Sequence, residues 1–239
     1  MKMYLLAFCL LPAATVLSQN VVDVNRENHR IGASDMYSVA GAPFVNTKYV
    51  SLVEGSPYFK DEWLKGVIVL DNGKEFKDFT VRLNLEQNEI QYKDEKGAEM
   101  VVTSPVKELV ITDASGENYK FVHSSALPKT ASPVKEGWYL WLCSGAAGLY
   151  KSFTKTLTEQ RPYNSATTEQ RIKTAETYLV LYNNTFMEIK KLKEAPAVLA
   201  NKKTELEEFL NSKDNKKASM DDRFTALVEY YNSLFPQEK

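Results

Sequence analysis

Within residues 49–192 the apolar positions mostly recur at every second residue, the period of a β-strand with one buried face. In the clearest stretch Val81 and Leu83 alternate with the polar Arg82, so a charge is expected to be tolerated at Arg82 and not at Leu83. The preceding apolar run ends at Asp71-Asn72-Gly73, a turn sequence because Asn and Gly tolerate positive φ. The two runs predict a β-hairpin.

Short apolar runs separated by turn-prone residues predict further strands. These are at 89–93, 100–103, 106–112, 119–123, 137–144, 178–182 and 186–190, the last two joined by Asn183-Asn184. Leu149, Phe153 and Leu157 have the spacing of four that suits a helix, but the intervening residues suit a strand, which is the interpretation preferred here. Strands joined in this way predict an antiparallel β-meander with a barrel-like body.

The period changes in the last part of the chain. Pro196 suits the first turn of a helix, and the apolar residues up to Leu210 lie on one face. After a polar break at 213–217, Ser219 and Asp222 have the spacing of a capping box, and a second run of apolar residues follows the 3.6-residue period. Two short amphipathic helices predict an αα-hairpin, whose apolar faces are expected to pack on the sheet rather than on a partner.

The fold class predicted from these patterns is α+β. The expected divisions are a signal peptide at 1–18, an N-terminal arm or linker at 19–48, a β-rich body at 49–192 and a C-terminal helical hairpin at 193–239. The arm is mixed and polar, with little periodicity. About 220 residues after the signal fit one large domain or two small ones.

The N-terminus has the three-part pattern of a secretory signal. Lys2 precedes an apolar run from Tyr4 to Val16, which is shorter than the roughly 20 residues that span a bilayer. Cleavage is expected after Ser18, giving a secreted or periplasmic protein that begins at Gln19 and contains no transmembrane segment. The alternative, a lipoprotein acylated at Cys9, is disfavoured because the bulky Phe8 precedes that cysteine.

The balance of charge excludes a general attraction to polyanions. The chain has 30 Lys and Arg against 31 Asp and Glu, so neither nucleic acid nor an anionic membrane is an expected partner. With 44% apolar residues the chain can bury a core. Cleavage of the signal leaves Cys143 as the single cysteine, which excludes an internal disulfide, and its apolar surroundings favour an inert buried thiol.

Three segments carry a resemblance to a known family. They are 55–63 with the hairpin that follows, 161–167, and 202–206 together with 230–234. In these segments the chain resembles a family of uncharacterised secreted or periplasmic proteins of Bacteroidota with no assigned function. The resemblance implies export and a bacterial envelope setting, and it implies no catalytic, cofactor or binding residues.

The sequence contains no motif of a known catalytic or metal site. There is no HExxH, GxSxG, P-loop or GxGxxG pattern, and the chain has only His29 and His123. His123 could orient the hydroxyl of Ser124 or Ser125, although neighbours in a strand point to opposite faces, so an exposed histidine at a strand end is preferred. Residues 144–148 are rich in Gly and Ala and are interpreted as a turn. No catalytic residue, metal ligand or cofactor is assigned.

One combination of side chains suggests a ligand site. Asp61 and Glu62 are next to Trp63, and Tyr58 is close by, so an aromatic surface and carboxylates could recognise a sugar. An aromatic residue at a strand entrance also serves as a core anchor, as does the cluster of Trp138, Tyr139 and Trp141.

Three functional hypotheses remain. The preferred one is a non-enzymatic binding or interaction protein of the cell envelope or exterior, with an envelope component or another protein as partner. The first alternative is a β carrier for a small molecule or lipid. The second is a carbohydrate-active enzyme centred on Asp61, Glu62 or Asp113.

Overall fold

The computed structural model describes residues 41–43, 50–164, 166–212 and 218–235. The predicted signal peptide, its cleavage site, most of the predicted arm and the polar break at 213–217 lie outside these residues. The described part consists mostly of one open, mixed β-sheet together with three short α-helices. The predicted combination of a β-rich body and C-terminal helices is confirmed at this level.

Twelve strands are described. They are β1 (Gly41–Pro43), β2 (Val50–Glu54), β3 (Leu64–Leu70), β4 (Glu75–Asn84), β5 (Glu89–Lys93), β6 (Glu99–Val102), β7 (Val106–Thr112), β8 (Asn118–His123), β9 (Trp138–Cys143), β10 (Gly148–Gln160), β11 (Thr168–Tyr182) and β12 (Thr185–Ile189). The helices are α1 (Ala195–Val198), α2 (Lys203–Ser212) and α3 (Met220–Ser233). The strands expected at 89–93, 106–112 and 137–144 are present within about a residue.

The sheet contains two antiparallel meanders rather than one. Its strand order is β1-β6-β5-β4-β3-β7-β8-β9-β10-β11-β12, so β3 to β6 extend from the centre in one direction and β7 to β12 in the other. The meander is therefore interrupted between β6 and β7, which are not neighbours. β2 adds a parallel pairing with the N-terminal part of β11, which makes the sheet mixed.

The connection between β6 and β7 requires the sheet to curl. In a flat sheet four inter-strand spacings of about 4.8 Å would separate these strands by about 19 Å. The link from Val102 to Val106 can span only about 14 Å even when fully extended. The curl also brings the indole Nε1 of Trp138 within 3.2 Å of the carbonyl oxygen of Asn88, although β5 and β9 are far apart in the strand order. No hydrogen bonding closes the described sheet into a cylinder, so the barrel-like body is not confirmed.

The first predicted hairpin is present with the expected strand phase. β3 and β4 pair antiparallel, and Gly73 adopts a φ of +84° in the turn that joins them. Val81 and Leu83 are completely or almost completely buried, and they contribute to a core with Ile68 and Leu109. The alternation of apolar and polar residues therefore identified the inward face of β4.

The ambiguous segment around Leu149 forms a strand, as preferred. β10 and β11 pair over their whole lengths from Gly148 to Gln160. β11 also begins at Thr168, ten residues before the predicted strand, because the mostly polar residues 168–177 continue the pairing with β10. The outer halves of both strands form an exposed ribbon to which β2 adds, with Leu52 and Val53 more than 40% exposed.

The C-terminal helices pack on the sheet. Ser219 and Asp222 form the predicted capping box of α3, and the ring of Phe224 stacks on that of Tyr178 in β11 at 3.9 Å between centroids. The helix predicted from Pro196 is interrupted, since α1 ends at Val198 and Leu199 takes a non-helical conformation with its side chain fully buried. α2 contacts α3 through Phe209 and Tyr230. The apolar faces of the C-terminal helices are thus buried against the sheet, as expected. The predicted αα-hairpin stays a prediction.

Candidate functional site

Phe59 anchors the segment that contains the four predicted ligand-site residues. Its backbone N–H donates to the carbonyl oxygen of Leu83, and its ring packs edge-on against Phe121 at 4.8 Å and against Phe153 at 5.7 Å. At the start of the segment Gly55 has a φ of +77°, and a Cβ there would lie 2.0 Å from the carbonyl oxygen of Ile172. The segment is therefore held against both halves of the sheet.

Tyr58 and Trp63 both contact the guanidinium group of Arg82. The Arg82 Cζ lies 3.8 Å from the Tyr58 ring centroid and 4.4 Å from the Trp63 centroid, and Lys93 Nζ lies 4.8 Å from the latter. Arg82 also donates to the buried Gln91 side chain, with 2.8 Å between Nη2 and Oε1. Basic residues of the same sheet thus cover these aromatic rings, so the two rings are part of an internal cation–π stack.

Arg82 is less exposed than the alternation in β4 predicts, because Tyr58 and Trp63 cover its guanidinium group. It points away from the core, as the alternation predicts, but its side chain is only 14% exposed. The aromatic rings that enclose it come from a loop, so the pattern within β4 could not reveal them. From this environment we expect Arg82→Asp to destabilise the fold, in place of the small effect expected from the alternation alone, because the substitution would place a carboxylate against two aromatic faces.

The predicted carboxylates have separate partners or face solvent, and no hydrogen bond joins one to another among the described residues. Asp61 accepts a hydrogen bond from the Ser56 hydroxyl, and Glu62 is exposed. Asp113 forms an ion pair of 2.7 Å with Lys60. The hydrogen bonds from Lys60 and Ser115 hold the pKa of Asp113 below its usual range, so this group is unsuited to donating a proton as a general acid.

β9 supplies core residues, as the preferred interpretation of its aromatic cluster requires. Trp138 and Tyr139 are each at most 6% exposed, and Cys143 of the same strand is buried. Trp141, the third residue of the cluster, is only half-buried, with Lys120 Nζ 5.1 Å from its ring centroid. Burial raises the pKa of the Cys143 thiol to about 12. The thiol is therefore protonated near neutral pH, which agrees with the expected inert role.

The glycine-rich turn at 144–148 is bound by a residue that the sequence analysis did not identify. The Ala147 N–H donates to Asn232 Oδ1 at 2.8 Å, and Asn232 Nδ2 donates to the Ala147 carbonyl at 3.0 Å. Both groups are buried. This backbone N–H is occupied by an α3 side chain and does not face an anion, so the turn has a structural role.

A cleft lies where the curled sheet brings the β6–β7 crossover close to the ends of β8 and β9. We call it the crossover cleft; its volume is about 490 Å³. The apolar part of its lining includes Ile90, Val102, Val106 and Trp138. Its polar lining includes Asp71, Asn88, Glu89, Thr103, His123 and Ser125. The Asp71 N–H donates to the Pro105 carbonyl at 3.1 Å, which ties the crossover to the end of β3.

His123 and Ser125 form a hydrogen-bonded pair at the edge of this cleft. His123 Nδ1 lies 2.8 Å from Ser125 Oγ and accepts the Ser125 backbone N–H at 3.3 Å. Since a backbone N–H can only donate, Nδ1 supplies the lone pair and the neutral ring carries its proton on Nε2. His123 is the last residue of β8, as expected, but it is half-buried rather than exposed, and a 3₁₀ turn at Ser124–Ala126 folds Ser125 back onto its ring.

Glu89 is a half-buried carboxyl group in the same cleft. Burial, and then the nearby charge of Glu86, raise the pKa of Glu89 above its usual range. Neither Lys nor Arg is part of the cleft lining that the structure describes. The alternation within β5 contained no sign of this site, since the crossover and the β8–β9 region that complete it are distant in sequence.

A second groove, of about 610 Å³, lies between loop 132–138 and the outer face of β10 and β11. It is lined mainly by polar groups, and its charged residues have both signs, among them Lys135, Lys155 and Glu188. Burial lowers the pKa of Lys155, whose ammonium group donates to the Thr174 hydroxyl at 3.0 Å. Its mixed, polar lining makes it a poorer candidate than the crossover cleft.

Two global properties of the described residues bear on the type of site. They contain no group of three or more His, Cys, Asp or Glu side chains placed to hold a metal ion. No helix in the same part of the chain is both long and apolar enough to cross a membrane.

Comparison with known proteins finds no matching family model, no matching curated protein and no matching solved structure.

Proposed function

We propose that this chain is a non-enzymatic binding protein of the cell envelope or exterior, and that it binds a small ligand in the crossover cleft. The observation that carries the proposal is the cleft itself: its apolar lining is combined with several converging polar groups, and its 490 Å³ is in the range of small-molecule sites. The N-terminal pattern and the family resemblance support export.

The chemistry around the cleft supports binding rather than turnover. The Ser125 hydroxyl and His123 Nδ1 are near enough for a nucleophile and a base, but they are two residues apart and belong to the cap of a 3₁₀ turn. Among the described residues, no carboxylate hydrogen-bonds to the His123 ring to orient it, as a serine hydrolase requires. A broad hydrolase panel is therefore expected to show no turnover.

A fragment screen by NMR tests the proposed cleft. Fragments that bind are expected to shift the indole N–H resonance of Trp138, which can be distinguished from those of Trp63 and Trp141 by substitution. Thr103→Trp places a bulky side chain in the crossover and should abolish these shifts. Thr156→Trp, on the exposed ribbon, is the matched control and should leave them unchanged. Fragments that shift only resonances elsewhere, or that bind the Thr103→Trp variant equally well, would contradict the proposal.

A further inference from the structure

The crossover cleft, on which the proposed function rests, has an unbalanced charge. Two carboxylates, Asp71 and Glu89, contribute to its described lining together with His123, and no lysine or arginine does. Two other carboxylates, Asp113 and Glu108, form ion pairs with Lys60 at 2.7 Å and Lys120 at 3.0 Å. The carboxylates of the described cleft lining have no basic side chain beside them in that lining.

Glu89 is the less exposed of the two carboxylates. Within the described part of the chain, no basic side chain forms an ion pair with it, and the like charge of Glu86 adds to the effect of burial. A carboxylate that loses hydration without gaining a counter-charge is destabilised. A bound cation would supply that counter-charge at the position where the fold leaves it missing.

The remainder of the lining favours an organic cation. Ile90, Val102 and Val106 offer apolar contacts that a hydrated metal ion cannot use, and the described residues hold no cluster that could ligate a metal. The Trp138 indole is fixed in orientation by the hydrogen bond from its Nε1 to the Asn88 carbonyl. An aromatic ring of fixed orientation can contact an alkylammonium group or its carbon chain.

We infer that the ligand of the crossover cleft is a small organic ammonium compound, with its apolar part against Ile90, Val102 and Trp138 and its charged group near Glu89. Anionic ligands are excluded from the same cleft by repulsion from Asp71 and Glu89.

The experiment uses a matched pair of probes, cyclohexylamine in its protonated form and the neutral cyclohexanol, at pH 8. Binding to the full mature chain is followed by the Trp138 indole resonance. Cyclohexylammonium is expected to bind at least about tenfold more tightly than cyclohexanol, since a hydrogen bond to a charged group is lost with the neutral probe. Glu89→Gln should remove this preference, and Glu95→Gln, an exposed acid in the β5–β6 turn, should retain it.

The outcomes separate this inference from the proposed function. Equal affinity for both probes at the cleft would overturn the charge preference and leave the cleft as a binding site. Binding of cyclohexylammonium that persists in Glu89→Gln would overturn the role of Glu89. If neither probe affects Trp138 and the fragment screen also finds no ligand there, both the inference and the proposed function fail. Circular dichroism of each variant checks that the fold is retained.

Discussion

Arg82 and Leu83 are neighbours in β4, but their side chains lie in different environments. Substitutions at the two positions can therefore be compared. Leu83 is 1% exposed and packs in the core of the curled sheet. Arg82 lies on the opposite face, where Tyr58, Trp63 and Gln91 surround its guanidinium group. Each side chain is thus held by its surroundings, one by apolar packing and the other by cation–π contacts and a charge-assisted hydrogen bond.

Leu83→Asp should therefore reduce the free energy of unfolding by more than about 4 kcal/mol, because it buries an unpaired carboxylate. Arg82→Asp should cost about 1–3 kcal/mol, because it removes the partner of the buried Gln91 oxygen. Urea titration provides the measurement. Lys65→Asp, at an exposed position of the neighbouring strand, is the control and should change stability by no more than about 0.5 kcal/mol. An Arg82→Asp variant as stable as the control would show that the stack does not stabilise the fold.

At the scale of elements, α3 is attached to the sheet by both apolar and charged contacts. Phe224, Leu227 and Tyr231 are fully buried. Near the start of the helix Asp221 accepts a hydrogen bond from Lys151 Nζ at 2.9 Å and another from the Tyr178 hydroxyl. A 14-residue helix is marginal on its own, so these contacts account for its stability.

Phe224→Ala is expected to lower the free energy of unfolding by about 3–5 kcal/mol, because it leaves a cavity between α3 and Tyr178. The variant should remain monomeric in size-exclusion chromatography at the concentration where the wild-type chain is monomeric. Glu229→Ala, at an exposed position of the same helix, provides the comparison. A melting temperature unaffected by Phe224→Ala would mean that the helix does not pack on the sheet in solution.

At the scale of the whole molecule, the curl of the sheet produces the proposed site. The short β6–β7 crossover forces β5 and β6 toward β8 and β9, and the crossover cleft lies where these strands meet. The central cores lie against the inner faces of the strands, whereas the exposed ribbon of β10 and β11 extends beyond them. A binding site at such a junction does not require the interior of the sheet to be hollow.

The expected export can be tested on the intact protein. Expression of the full chain in a Gram-negative host should yield a periplasmic product that begins at or near Gln19 and carries no lipid, because the apolar run from Tyr4 to Val16 is expected to act as a signal rather than an anchor. Intact mass spectrometry and N-terminal sequencing provide the readout. An acylated terminus at Cys9, or retention of the first 18 residues in the cytoplasm, would contradict the prediction.

Local features of this protein can be predicted from the amino-acid sequence alone. The alternation around Val81 identified the buried face of β4, Gly73 and the Asn183-Asn184 pair marked two turns, and the Ser219 capping box marked the start of α3. Such features depend on residues within a few positions of one another, where the period of the backbone and the φ preference of a turn residue are sufficient.

Which distant segments meet becomes visible only in the folded chain. The fold places Tyr58 and Trp63 on Arg82, Asn232 on the backbone of Ala147, and the crossover next to His123. Contacts of this kind depend on the strand order and on the curl that a short connection imposes, and no local period encodes either. For the same reason the sequence suggested a ligand site at residues 58–63, whereas the site proposed from the folded chain lies at Glu89 and Trp138.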